Sequence, residues 1–256
     1  MNKHVANNIS LPKRGDSLDN LDGYPRSFKL PIMEDVPGKY MNTMYSPSDI
    51  TVDWNSYKHF LKEVKPDFHP HVLFVGHDSS EIENITLMAL GGVIQYMNGI
   101  SNYALVGKDN IDILSNLIKK KQPEWIGFNL YTGLTDFVFE WIKKYKIERA
   151  SFITKKNITD FDTADNFLKN LVRESNGPIY DGDQVLYAPI IIGGHFNNYS
   201  FKESFDRGGD YVVRGKGINI LRDILLGLFS PGIYHDPMPY ANIPKMDRES
   251  FYVDMY

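Results

Sequence analysis

The chain reads as an α/β protein, a doubly wound (flavodoxin-like or Rossmann-like) five-stranded parallel sheet preceded by an extended amino-terminal arm. Three observations predict this. Short apolar runs alternate with amphipathic stretches of helical period from about residue 70 to residue 230. The runs are dense in β-branched residues, as in strands buried on both faces. Several of them stop abruptly at glycine, above all Ile190-Ile191-Ile192-Gly193-Gly194 and Tyr211-Val212-Val213-Arg214-Gly215-Lys216-Gly217.

Residues 1–68 form the arm. The pairs Tyr24-Pro25, Leu30-Pro31, Val36-Pro37 and Ser46-Pro47 predict mostly irregular chain. Its aromatic residues argue against full disorder, because disordered tails are poor in them. Residues 56–64 carry Tyr57, Phe60 and Leu61 at helical spacing before Pro66.

The domain proper spans residues 69–230. His71-Val72-Leu73-Phe74-Val75-Gly76 is its first strand, and a helix is predicted from about Glu81 to Asn98. Asp78 or a following serine is the expected cap, with Glu81 and Glu83 at the positive end. Met88, Gly91, Gly92 and Gln95 share one face of that helix, where glycine permits close packing on the sheet. Residues 102–107 supply the second strand. Residues 110–120 supply an amphipathic helix with Lys119, Lys120 and Lys121 around its negative end.

Residues 123–130 are the third strand, and Leu134 to Tyr145 the helix after it. The rhythm breaks near 147–186, which reads as an insertion or an elongated crossover with a helix from Thr163 to Glu174. The two glycine-terminated strands then follow, each with its helix. Residues 231–256 hold Pro231, Pro237, Pro239 and Pro244 and read as a proline-rich strap without a core of its own.

Composition narrows the function. Twenty-eight basic against thirty-two acidic residues give a net charge of −4, with no basic run suited to a phosphate backbone, so nucleic acid is not an expected partner. No stretch resembles a signal peptide or a membrane span, and a cytoplasmic protein is expected. The chain has no cysteine, which excludes thiolate nucleophiles and any cluster or zinc held by its own thiolates.

Catalytic motifs are missing. There is no GxSxG elbow, no GxxxxGK[ST] loop and no GxGxxG after the first strand. No metal-binding histidine pair falls on a predicted helix, and His69 and His71 flank the start of a strand. His195, just after the glycine pair, either reaches a ligand in the crevice or hydrogen-bonds a neighbouring loop. In open parallel sheets that crevice, beyond the carboxyl ends of the strands, is where ligands bind.

Four loops carry a family resemblance. HDSSEIEN follows the first strand, NLYTG the third, GGHFNN the fourth and VRGKG the fifth, and the run IIIGGHFNNYSFKESFDRGGDYVVRGKGINILRDIL is the most specific. Together they resemble the cobalamin-binding domain found in many radical SAM enzymes, over residues 70–230. The resemblance implies a cobalamin site built by Asp78, Ser79 and Ser80, by Asn129, Leu130, Tyr131 and Thr132, by Gly193, Gly194, His195 and Phe196, and by Gly215, Lys216 and Gly217. Gly193 and Gly194 would present flat backbone to the corrin, and the loop at 129–132 would line the way for its nucleotide tail.

Ser80 stands where related modules carry a cobalt-ligating histidine, so no imidazole is expected from this loop. His77 and His195 are the nearest alternatives. Lys216 and Asn219 occupy positions where the family often has glutamate. The segment through Pro239-Tyr240-Ala241-Asn242-Ile243-Pro244 is similar to the family's bridge toward its catalytic barrel.

The resemblance therefore implies a cobalamin-binding amino-terminal part of a radical SAM enzyme. The iron–sulfur cluster and S-adenosylmethionine would belong to a cysteine-bearing domain in cis or in trans, because this chain alone is not a complete radical SAM enzyme. The competing expectation is a Rossmann-like binding or scaffold module that has lost the corrin.

Overall fold

A computed structural model describes residues 33–36, 40–44, 58, 62, 65–78, 84–131, 135–215, 217–236, 246–247 and 250. The strands in chain order are β1 (Met33–Val36), β2 (Tyr40–Met44), β3 (His71–His77), β4 (Ile100–Val106), β5 (Trp125–Asn129), β6 (Ile179–Asp181), β7 (Gln184–Tyr187), β8 (Ile190–Gly193), β9 (Tyr211–Gly215) and β10 (Gly232–Asp236). The helices are α1 (Ile85–Tyr96), α2 (Ile113–Lys121), α3 (Thr135–Thr154), α4 (Phe161–Ser175), α5 (Asn197–Asp206) and α6 (Ile218–Leu225).

The main sheet has the order β4-β3-β5-β8-β9-β10-β2-β1. All neighbours from β4 to β2 are parallel, and only β1 runs antiparallel to β2. From β3 the chain moves outward to β4 and then returns past β3 to β5, so the switch point lies between β3 and β5. The doubly wound parallel sheet is thus present, with a sixth consecutive strand beyond the five expected. That strand, β10, comes from the strap: Ile233 and Tyr234 are buried and pair with Val212 and Val213 of β9. Two short strands from within the arm, β1 and β2, extend the sheet beyond it.

Strand alternation sorts side chains onto two faces. Phe74, Gly127, Ile191 and Val213 share one face, by the pairs Phe74↔Gly127, Gly127↔Ile191 and Ile191↔Tyr211. Leu73, Phe128, Ile192 and Val212 share the other, where Phe128 meets Trp141 of α3 with ring centroids 5.8 Å apart. Burial of β5 is complete along its length, which is why it reads as an unbroken apolar run.

Several helix limits differ from the sequence expectation. α1 starts at Ile85, after Asn84, and the Asp78 N–H donates to the Val106 carbonyl at 3.1 Å. The residues expected to hold its acidic first turn, Glu81 and Glu83, lie outside the described residues, as do Tyr57, Phe60 and Leu61. α3 runs nine residues past Tyr145, to Thr154, because Lys146, Ala150 and Tyr145 continue its buried stripe. The break near 147–186 resolves into the end of α3, then α4 and the β6–β7 hairpin. α4 is capped by Asp160, whose carboxylate accepts the Thr163 N–H at 2.8 Å.

A polar network ties this addition to the sheet. The Lys146 ammonium, fully buried, donates to Asp165 at 2.6 Å and Asp210 at 2.7 Å. Lys169 donates to Asp165 and to the Phe205 carbonyl, both at 2.8 Å. Asp210 also accepts from the Tyr187 hydroxyl at 2.6 Å and the Ile190 N–H at 2.8 Å. Burial opposes the charge on Lys146, yet the two carboxylates hold its pKa above the ordinary value. Lys169 is pushed down, by burial and by the neighbouring Lys146 charge.

Candidate functional site: a slot at the carboxyl edge

A cavity of about 400 Å³ enters the sheet at the carboxyl ends of β3, β5, β8 and β9, beside the switch point. Its floor is Phe74, Gly127, Ile191 and Val213, and its walls are Leu87 and Leu90 of α1 and Ile218 and Leu221 of α6. Thr86, Asn129, Tyr131, His195 and Asn198 are the polar side chains bordering it. No Asp, Glu, Lys or Arg lines it among the described residues. The volume and apolar lining suit a small-molecule pocket with a few polar groups for orientation.

Glycine at 127 leaves the floor low. A Cβ there would lie 3.0 Å from the Phe74 ring, so any side chain would push that ring or fill the slot. Gly193 is more permissive: among the described residues an added Cβ would meet only the Phe128 carbonyl oxygen, at 3.9 Å. The space in front of Gly193 is therefore open slot.

Gly194 has a different reason to be glycine. Its φ is +99°, and a Cβ would sit 2.5 Å from the Leu130 carbonyl oxygen and 2.5 Å from Asn129 Oδ1. The loops after β5 and β8 cross at this point. Leu130 N–H donates to the Gly193 carbonyl at 2.9 Å, and Phe196 N–H donates to the Leu130 carbonyl at 3.1 Å. The crossing needs Gly194 whether or not a ligand lies nearby.

The residues singled out from sequence separate accordingly. Asn129, Tyr131, Gly193, Gly194, His195, Gly215 and Gly217 border the slot. Leu130 is buried and borders a smaller recess with His77, while Phe196 packs on Phe139 with centroids 6.2 Å apart. Asp78 borders another cavity, between β4 and α2, together with Asn102 and Lys120. Ser79, Ser80, Thr132 and Lys216 lie outside the described residues.

Of the two histidines considered near a ligand, only His195 borders the slot. Its ring meets Tyr199 edge-on at 5.8 Å, and Nδ1 lies 3.4 Å from the Asn198 amide nitrogen. Tyr199 is 80% exposed, so this pair stands free at the mouth.

Sequence reasoning missed the apolar lining. Phe74, Leu87, Ile191, Ile218 and Leu221 follow the ordinary core pattern, and nothing in that pattern distinguishes a side chain facing a void from one facing a neighbour. It also missed Asn197, the buried anchor of the β8–α5 loop. The Asn197 amide donates to the Ile192 carbonyl at 2.8 Å and its oxygen accepts from Ser204 at 2.5 Å. Met246, far along the strap, lines the slot as well.

No cluster of three or more His, Cys, Asp or Glu side chains suited to a metal occurs among the described residues. No helix among them is long and apolar enough to cross a membrane. Set against known proteins, the chain matches no family model, no curated protein and no solved structure.

Proposed function

We propose that this chain binds cobalamin, with the nucleotide tail of the cofactor in the slot. The observation that carries the reading is the slot itself, a cavity of about 400 Å³ without a charged side chain among its described lining residues, opening at the carboxyl edge of a doubly wound sheet beside its switch point. The residues fit such a tail. Phe74, Leu87, Ile191, Val213, Ile218 and Leu221 offer an apolar enclosure for a flat aromatic base, and the open space before Gly193 keeps it accessible. Asn129, Tyr131, His195 and Asn198 offer hydrogen-bonding groups for a sugar and phosphate at the border, and among the described residues no acidic side chain there would repel the phosphate.

Bound cobalamin would supply a cobalt centre able to carry an alkyl group or an electron. The chain's own residues would hold the cofactor and exclude water from the buried end of its tail. His195 is the imidazole closest to that task, and Ser80 replaces the histidine of related first loops. Radical chemistry on S-adenosylmethionine would need a cysteine-bearing partner domain or chain, because an iron–sulfur cluster of that kind needs thiolates.

The test is direct. The purified protein is incubated with hydroxocobalamin, desalted and examined by visible absorption. A corrin spectrum that stays with the protein at near one equivalent supports the reading. A colourless protein overturns it. A second assay separates binding from catalysis: with iron, sulfide, reductant and S-adenosylmethionine under anaerobic conditions, the cobalamin-loaded chain should form no 5′-deoxyadenosine above the protein-free control. Turnover by this chain alone would overturn the assignment of radical chemistry to a partner.

A further inference from the structure

The face of α1 that carries Met88, Gly91 and Gln95 does more than pack on the sheet. Asp247, from the strap, is 1% exposed and is held against that face. Its carboxylate accepts from Gln95 Nε2 at 2.6 Å, from Ser101 Oγ at 2.5 Å and from Tyr103 Oη at 2.9 Å. Its N–H donates to the Met88 carbonyl at 2.9 Å. Ser250 N–H adds a bond to Asp247 Oδ1 at 3.1 Å.

Gly91 makes the socket possible. A Cβ at this position would lie 1.7 Å from the Tyr103 hydroxyl and 3.1 Å from the Asp247 Cβ. One residue before the socketed aspartate, Met246 forms part of the slot wall. The chain leaves β10 at Asp236, so ten residues later it has reached the opposite flank of the slot.

We propose that Met246 and Asp247 are a latch: seating Asp247 in the Gln95–Ser101–Tyr103 socket places Met246 against the slot, so slot occupation and docking of these two residues stabilise each other. The physical basis is linkage. A ligand that touches Met246 only when the latch is seated binds that state better and shifts the equilibrium toward it, and the seated latch raises ligand affinity by the same factor. A carboxylate that accepts from three side chains is a strong seat, because charge-assisted hydrogen bonds are about twice as strong as neutral ones and releasing Asp247 would leave Ser101 and Tyr103 without this acceptor. The ligand identity rests on the cobalamin reading above, but the latch does not.

Two probes keep the two ideas apart: hydroxocobalamin, and the neutral aromatic dye N-phenyl-1-naphthylamine, which needs only an apolar slot. Hydrogen exchange is followed at the Asp247 amide in the full chain, with and without each probe, alongside probe affinity in the parent, Asp247→Asn and Asp247→Ala. The latch predicts an Asp247 amide protected at least about tenfold over a free peptide without any probe, and slowed further by a bound one. It predicts that Asp247→Ala weakens whichever probe binds by about tenfold or more while far-ultraviolet circular dichroism is kept, with Asp247→Asn intermediate. Dye binding with latch dependence and no cobalamin binding would uphold the latch and remove the cobalamin reading. An Asp247 amide exchanging at the free-peptide rate, probe affinities within twofold of the parent in Asp247→Ala, or no binding of either probe would overturn the coupling.

Discussion

The network around Lys146 and the slot around Gly193 handle burial in opposite ways. The first packs two lysines, two aspartates and a tyrosine into the interior and gives Lys146, Asp165, Lys169 and Asp210 partners at 2.6–2.8 Å. The second is lined by apolar side chains and keeps a void of about 400 Å³. Buried charge is tolerated only where it is fully paired, and removing one partner leaves another stranded. An apolar void sacrifices packing that a closed core would keep, so its persistence at a carboxyl edge favours a ligand. Stability and binding are therefore expected to separate between these regions.

The largest effect should come from breaking the network. Lys146→Ala would leave Asp165 and Asp210 buried without their common cation, and about 3–5 kcal/mol of stability should be lost. Chemical denaturation followed by circular dichroism measures it, and a loss below about 1 kcal/mol would show the network to be dispensable.

A glycine pair then separates strain from binding. Gly194→Leu must place a Cβ at φ +99° against the Leu130 backbone, and it should destabilise by about 2–4 kcal/mol, combining backbone strain with a clash. Gly193→Leu meets no such obstacle and should change stability by about 1 kcal/mol or less, yet it should abolish retention of hydroxocobalamin by filling the slot. Undiminished cobalamin binding by folded Gly193→Leu would place the ligand elsewhere.

The network also predicts the response to pH. Burial raises the Tyr145 phenol from 10.0 to about 12, and burial with the Asp210 charge raises Tyr187 as well. A phenol whose pKa is higher folded than unfolded adds stability that is fully present below the unfolded value. That contribution should be lost as pH rises from about 10 toward 12. At the acid end, burial works against the Asp165 carboxylate but Lys146 and Lys169 outweigh it and hold its pKa below the ordinary value. Its contribution should be complete above the ordinary carboxylate range and be lost as pH falls from that range through the lower folded value. Denaturation midpoints across this range check both signs, and Tyr145→Phe should flatten the alkaline limb.

The smallest effect is expected from Tyr199→Ala. Its ring is 80% exposed and touches His195 edge-on, so stability should change by no more than about 0.5 kcal/mol. A larger loss would mean that the mouth is a packed part of the fold.

Much of the fold was legible because buried parallel strands have a local signature. His71–His77, Trp125–Asn129, Ile190–Gly193 and Tyr211–Gly215 are apolar or β-branched runs bounded by turn residues. β10 lacked that signature. Its sequence, GIYHD, sits among prolines and becomes a strand through pairing with β9 and β2. The end of α3 was missed for a related reason: Lys146 is a charged residue in a buried stripe, and only Asp165 and Asp210, 19 and 64 residues away, make that burial tolerable.

The glycines after β8 and β9, the face of α1 at Met88, Gly91 and Gln95, and the alternation of strand and helix follow from the sequence alone, because they depend on backbone sterics and on periods of two and 3.6 residues. The sequence also determined that no thiolate chemistry resides in this chain. Tertiary structure alone decided that Gly193 opens on the slot while Gly194 serves a loop crossing, since adjacent glycines differ only in what surrounds them. It alone decided that Asp247 meets Ser101 and Tyr103 across 146 and 144 residues of chain. Such contacts form between groups that no local pattern links, and their energy exists only once the whole sheet has brought them within hydrogen-bond reach.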